Sequence, residues 1–157
     1  TTKYIAQWDG ASWSGVGSGM NRNVHALAHD GTNLYAGGYF TNAGGATATS
    51  VARWNGTSWS ALGTGLGVPT KNDGVWDMVR ANGNLYAGGR FTNSGPTAAM
   101  NVAMWDGSSW APLGDGLGHA ASGDTYDVYA LAHDGTNLYA GGEFTNAGAQ
   151  VVNRIAR

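Results

Sequence analysis

The sequence predicts an all-β fold assembled from repeated four-stranded sheets, and three observations predict it. A nine-residue phrase, Leu34-Tyr35-Ala36-Gly37-Gly38-Tyr39-Phe40-Thr41-Asn42, returns at residues 85–93 and 138–146, and only the residue after the Gly pair changes. A second phrase runs Ile5-Ala6-Gln7-Trp8-Asp9-Gly10, Val51-Ala52-Arg53-Trp54-Asn55-Gly56 and Val102-Ala103-Met104-Trp105-Asp106-Gly107, each followed by a Ser-Trp ending at Trp13, Trp59 or Trp110. The runs between turn residues are 4–7 residues long and rich in Val, Leu, Tyr and Trp. That length and composition suit strands, and no helical period is sustained anywhere.

Each unit offers four runs. The first is residues 24–29, with copies at 75–80 and 128–133. The second is residues 34–40 and its copies. The third is residues 5–8, 51–54 and 102–105. The fourth is residues 12–16, 58–62 and 109–113. His29-Asp30-Gly31-Thr32-Asn33 joins first to second, returns at residues 133–137 and is shortened to Ala81-Asn82-Gly83-Asn84. A Trp-Asp/Asn-Gly turn joins third to fourth. Asp-Gly and Asn-Gly supply the positive φ that tight hairpins need. The remaining connections, residues 17–23, 63–74 and 114–127 and residues 41–50, 92–101 and 145–153, are long and uneven. They fall at the opposite end of an up-and-down sheet, where a binding surface is expected.

The first Trp of the second phrase recurs after 46 and then 51 residues. A period near 50 with four short runs is that of a β-propeller blade. The predicted fold is therefore a β-propeller of about three four-stranded blades per chain. Residues 1–157 form a single domain, divided as 4–50, 51–101 and 102–157. Closure is the difficulty. The chain offers two strands, then two sets of four, then three, so it starts and stops inside a blade, whereas propellers have roughly 4–8 blades. The runs at 128–144 lack Trp-bearing partners, and such partners stand at residues 4–16. Three arrangements follow: a second copy completes a six-bladed ring, copies continue head-to-tail as a filament, or the chain is a fragment of a larger propeller. Residues 151–157 compete with residues 4–8 for one strand position.

Composition narrows the partners. Only 11% of residues are charged and the net charge is -2, so neither nucleic acid nor an anionic membrane, which select basic patches, is expected. No apolar run reaches the roughly 18 residues of a membrane helix. Seven Trp and seven Tyr argue against disorder. Gly, at 27 of 157, is more than twice its usual share of ~7% and sits at fixed repeat positions, as turns and close strand approaches require. The absence of Cys excludes disulfides, thiolate metal sites and Cys nucleophiles. The Gly-, Asn-, Thr-, Ser- and Ala-rich, Lys-poor composition is that of secreted microbial surface proteins. A secreted or cell-surface location is expected, with a leader or tag removed before Thr1.

The Gly pairs followed by Trp54 and Trp59, and by Trp105 and Trp110, resemble kelch-type propeller blades. Gly-Gly-x-Phe-Thr-Asn-Ala-Gly with Asn-x-Ile/Val-Ala-Arg is similar to the bacterial delta-sixty repeat and to a fungal cell-cortex propeller family, and Asn153-Arg154-Ile155-Ala156-Arg157 is close to the second of those phrases. The resemblance implies a propeller that serves as a scaffold or interaction surface, because fold does not fix function.

Gly37, Gly38, Gly88, Gly89, Gly141 and Gly142, with the pairs Trp8/Trp13, Trp54/Trp59 and Trp105/Trp110, form the structural signature. Sugar stacking by the Trp pairs is the functional alternative to core packing. Candidate binding residues are those that break the repeat. Trp76 replaces His25 and Tyr129, and Asp77 replaces Ala26 and Ala130, on the strand expected to line a central channel. Tyr39, Arg90 and Glu143 hold the variable position, and Glu143 is the only Glu. An ion pair between Arg90 and Glu143, or a contact from either to a partner, is expected. His29 and His133 belong to turns, and His25 and His119 have no motif around them. No metal or cofactor is expected: Asp115, Asp124 and Asp127 crowd one connection at a spacing that fits no Ca²⁺ loop. Asn55-Gly56-Thr57 is a glycosylation sequon lying within a hairpin turn. A copper oxidase of the galactose oxidase kind needs a Cys. A sialidase needs an Arg cluster. A paired-carboxylate glycosidase needs two facing acids, and none is indicated. The expected function is a non-enzymatic structural or adhesive module that self-assembles by strand complementation between copies. The alternative is a carbohydrate-binding propeller with a glycan as partner.

Overall fold

The computed structural model describes residues 3–68, 73–118 and 126–157. Every regular element among them is a β-strand, as the run lengths predict. A hairpin of β1 (Ala6–Trp8) and β2 (Trp13–Gly15) comes first. Then follow β3 (Val24–His29), β4 (Leu34–Gly38), the two-residue strands β5 (Asn42–Ala43) and β6 (Ala46–Thr47), β7 (Val51–Trp54) and β8 (Trp59–Ala61). Strands β3, β4, β7 and β8 lie side by side in that order as an antiparallel sheet.

The next stretch has the same plan. It runs β9 (Gly74–Ala81), β10 (Asn84–Arg90), β11 (Asn93–Ser94), β12 (Thr97–Ala98), β13 (Val102–Trp105) and β14 (Trp110–Pro112), with sheet order β9-β10-β13-β14. After β15 (Leu117–Gly118) come β16 (Val128–His133), β17 (Leu138–Gly142), β18 (Asn146–Ala147), β19 (Gln150–Val151) and β20 (Ile155–Ala156). This third sheet has three strands, β16-β17-β20. Strand β9 packs between β3 and β16, so the three sheets meet through their first strands. No sheet closes on itself among the described residues.

Local chemistry accounts for the hairpins. In the three Trp-bearing turns the carboxylate or amide after the Trp accepts two backbone N–H bonds: Asp9 Oδ1 from Ala11 and Ser12 at 2.8 Å, Asn55 Oδ1 from Thr57 and Ser58 at 2.9 Å, and Asp106 Oδ1 from Ser108 and Ser109 at 2.8 Å. The sequon Asn is thus engaged in its own turn. In the other hairpins Asp30 and Asp134 accept the backbone N–H groups of Asn33 and Asn137 and the hydroxyls of Tyr35 and Tyr139, the latter at 2.7 Å. His29 and His133 accept from Gly31 and Gly135 through Nδ1.

The Gly pair is required by close approach. A Cβ at Gly38, Gly89 or Gly142 would overlap the backbone carbonyl of Asn23, Gly74 or Asp127. Phe40, Phe91 and Phe144, two residues further on, are fully buried hubs. They lie just beyond their strands rather than ending them. Ahead of each third strand stands a non-Gly residue in the left-handed region: Tyr4 (φ 68°), Ser50 (61°), Asn101 (61°) and Arg154 (65°). Its carbonyl accepts the N–H of the second Gly in three sheets, at 2.9, 3.0 and 3.1 Å. Four different residue types fill this position, so sequence offers no cue to it.

One expectation is corrected. Residues 41–50, 92–101 and 145–153 are not irregular, because each carries a matching two-strand hairpin. Variation is confined to the connections at 17–23, 63–74 and 114–127.

Candidate functional site

Each first strand carries a β-bulge. The pairing with the second strand skips His25 in β3, Trp76 in β9 and Tyr129 in β16. A bulge adds a residue to one strand and re-aims its side chain. Because the three first strands are neighbours, the three skipped side chains converge. The His25 and Trp76 rings lie 4.7 Å apart, and the Trp76 and Tyr129 rings 6.1 Å apart. Tyr39 joins them edge-on, 5.0 Å from His25 and 5.0 Å from Trp76. These spacings are those of favourable tilted aromatic pairs. Burial holds the His25 imidazole below its ordinary pKa.

An ionic group flanks the aromatic one. Arg90 grips buried Asp127 with both ends of its guanidinium, Nε to Oδ1 at 2.5 Å and Nη2 to Oδ2 at 2.8 Å. The Tyr129 hydroxyl donates to Asp127 Oδ2 at 3.1 Å. Burial, then hydrogen bonding to Glu143 and Asp127, pushes its pKa up to about 12. Arg90 thus pairs with Asp127 rather than with Glu143, which is exposed and hydrogen-bonds Tyr129. Asp77 is a brace: its Oδ2 accepts the Leu131 N–H of the neighbouring sheet at 2.7 Å and its Oδ1 accepts from Met78.

The structure thus brings Tyr39, Trp76, Arg90 and Glu143 into one patch and gives Asp77 a structural task. Sequence reasoning missed His25, Tyr129 and Asp127 as members. The bulge that gathers them leaves no residue signature, although their position, like Trp76, varies between units. A rule emerges for the residue after the Gly pair: it reaches the first strand of the next sheet. Tyr39 lies against Gly74 and Trp76, and Arg90 against Asp127. For Glu143 there is no next sheet among the described residues.

Among the described residues, no three His, Asp or Glu side chains converge on a metal position. His119 and Asp124 lie outside the described residues.

The unmatched ends form a second candidate surface. Strand β20 pairs β17 over only Ala140↔Ala156 and Gly141↔Ile155, where β7 and β13 each pair over four positions. Ile155 is 67% exposed, although its counterparts Val51 and Val102 are buried. At the other end the β1–β2 hairpin has no neighbour on its β1 edge among the described residues, and Trp8 and Trp13 are 52% and 70% exposed while Trp59, Trp105 and Trp110 are buried. No protein-family model matches this chain, and no curated protein matches it.

Proposed function

We propose that this chain is a non-enzymatic, extracellular structural or adhesive module of kelch-like β-propeller type, and that another copy completes its ring. The observation carrying this reading is the complementary incompleteness of its ends. Sheet β16-β17-β20 wants an outer hairpin, and β1–β2 is an outer hairpin wanting two inner strands. Exposed strand edges and apolar faces of this kind recruit partners. Blade number favours two copies: each contributes three, and six lies within the roughly 4–8 blades of ordinary propellers, whereas nine does not. The Gly-, Asn-, Thr-, Ser- and Ala-rich, Lys-poor composition supports an extracellular setting. Sedimentation or light scattering tests the reading. A particle of twice the 16.1 kDa chain mass, appearing as a closed ring by negative stain, is expected. A monomer at all concentrations overturns it.

A second reading, carbohydrate binding, is favoured by the partly exposed His25, Tyr39, Trp76 and Tyr129 group, whose ring faces and adjoining Asp127 and Glu143 suit sugar stacking and hydroxyl binding. Saturable glycan binding lost in Trp76→Ala supports it, and absence of binding across a broad glycan array removes it.

A further inference from the structure

The interior contacts between sheets follow a rule that is satisfied twice within the chain and left open once. Trp59 donates its indole N–H to the Val16 carbonyl at 2.9 Å, and Trp110 donates to the Leu62 carbonyl at 2.9 Å. Each bond links the fourth strand of one unit to the residue that closes the fourth strand of the unit before. The glycine that follows the acceptor lies under the Trp pair. A Cβ at Gly17 would come within 2.8 Å of Trp54, and one at Gly63 within 2.7 Å of Trp105. The third acceptor is the Leu113 carbonyl and the third glycine is Gly114. A Cβ at Gly114 would meet nothing within 4 Å. Above it lies a cavity of about 640 Å³ whose apolar lining includes Leu113, Gly114, Leu117, Leu138, Ala140 and Ala156, with Asp115, His133, Asn137 and Arg157 also on its wall. Their counterparts Val16, Gly17, Met20, Leu34, Ala36 and Ala52 surround Trp54 and Trp59.

The chain has one Trp pair without a seat. Trp8 and Trp13 lie 5.6 Å apart, like Trp54/Trp59 at 5.5 Å and Trp105/Trp110 at 5.6 Å. The hairpin is therefore already shaped for the cavity. Nor is it the only unmatched pair of surfaces. Gly37 and Gly88 press on Val75 and Val128 of the next sheet, at 2.6 and 2.7 Å from a hypothetical Cβ, but a Cβ at Gly141 would meet only the Arg154 carbonyl, at 4.0 Å. The counterpart of Val75 and Met78 in the first sheet is Val24 and Leu27, and Leu27 is 52% exposed where Met78 is buried. Glu143, by the rule of its position, would reach Asn23 and His25, the counterparts of Asp127 and Tyr129 at the start of that same strand.

Resting on the self-association proposed above, we infer that the Trp8/Trp13 hairpin of one copy seats in the Leu113–Gly114 cavity of a second copy, with the Trp13 indole donating to the Leu113 carbonyl. Strand β1 then lies on β17 in the register of β7 on β4. Ile5 stands opposite Gly141, Ala6 opposite Ala140, Gln7 opposite Tyr139 and Trp8 opposite Leu138. Strand β20, held by two residues, is displaced, and Leu27 covers Gly141. The contact is heterologous, so every copy both gives a hairpin and receives one.

The test uses the full chain in three forms: wild type, Trp13→Ala to remove the knob, and Gly114→Trp to fill the seat. Trp13 is largely exposed, and Gly114 faces open space but holds a φ of 55°, where any side chain strains the backbone, so the far-ultraviolet spectrum of each variant is recorded beside that of the wild type. Each variant alone should self-associate roughly thirtyfold or more weakly, as expected for loss of a hot-spot Trp. Mixing the two should restore a heterodimer through the one intact knob and seat. Trp13→Phe, which keeps an aromatic ring without the N–H, should fall between wild type and Trp13→Ala. A wild type that never associates overturns the self-assembly reading and this docking together. Association that survives both variants, or variants that fail to complement on mixing, leaves self-assembly standing and overturns this interface. Should either variant lose its fold, Gly141→Val, placed on the same interface, is substituted, with the same thirtyfold criterion.

Discussion

At the scale of single residues, three positions separate packing from solvent display. Asp127 is buried and satisfied by Arg90 and Tyr129. Arg90→Met should cost up to about 3 kcal/mol, because it strands a buried carboxylate. Glu143→Gln should cost less than about 1 kcal/mol, the worth of an exposed charge. Urea denaturation of both variants checks the contrast. Gly88→Ala and Gly141→Ala are the same change in the same motif, yet only the first drives a methyl into Val128. Overpacking of this kind costs about 1–3 kcal/mol, so Gly88→Ala should lower the melting temperature of the dilute chain and Gly141→Ala should not. Acid sensitivity has an identifiable source in the turn carboxylates. The N–H groups of Ser109 and then Ser108, with the Ser108 hydroxyl, lower the Asp106 pKa to about 2. A depressed folded-state pKa stabilises the fold above the unfolded value and is lost as pH falls through the folded one. Stability should therefore decline between about pH 4, the ordinary carboxylate value, and pH 2. A carboxyl chemical-shift titration should place the Asp106 midpoint near the lower limit.

At the scale of elements, much of the fold is legible from turn chemistry and run length. Residues 24–29 and 51–54 are read from sequence with the bounds of β3 and β7, because apolar and aromatic runs flanked by Asp-Gly or Asn-Gly leave little choice. The β5–β6, β11–β12 and β18–β19 hairpins are not legible. Their strands are two residues long and are held by an adjacent connection of the same chain, as when Asn21 accepts the N–H groups of Thr41 and Asn42. The three bulges are hidden for the same reason: the skipped residue is set by the packing of first strands on each other. The candidate patch was therefore half legible, through Tyr39, Trp76, Arg90 and Glu143 as breaks in a repeat. Its other half, His25, Tyr129 and Asp127, is visible only once the sheets are placed side by side. Strand β20 is the weakest strand of the three large sheets, with a two-residue ladder and an exposed Ile155. Amide exchange should find residues 155–156 the least protected strand of those sheets. On assembly their exchange should accelerate further, while Ala6 and Gln7 become protected.

At the scale of the molecule, the same arrangement of sheet upon sheet recurs. Among the described residues two Trp pairs are seated, one is exposed and one seat is open. Burying exposed Trp8, Trp13, Leu27 and the apolar cavity lining together supplies the driving force for association, since apolar area removed from water is worth about 25 cal/mol per Å². Association that favours the folded state makes stability depend on concentration. The melting temperature should rise as the protein is concentrated, and the rise should vanish in Trp13→Ala. Register is the most demanding consequence, and the chain's lack of Cys makes it directly measurable. In a Gln7→Cys, Tyr139→Cys double variant, mild oxidation should link the copies through disulfides and yield a covalent dimer on a non-reducing gel. The control Gln7→Cys, Thr57→Cys, whose Thr57 lies in the exposed turn between β7 and β8 and lines no part of the cavity, should remain monomeric on the same gel. Equal crosslinking of both pairs, or of neither under conditions where wild type associates, would contradict the account.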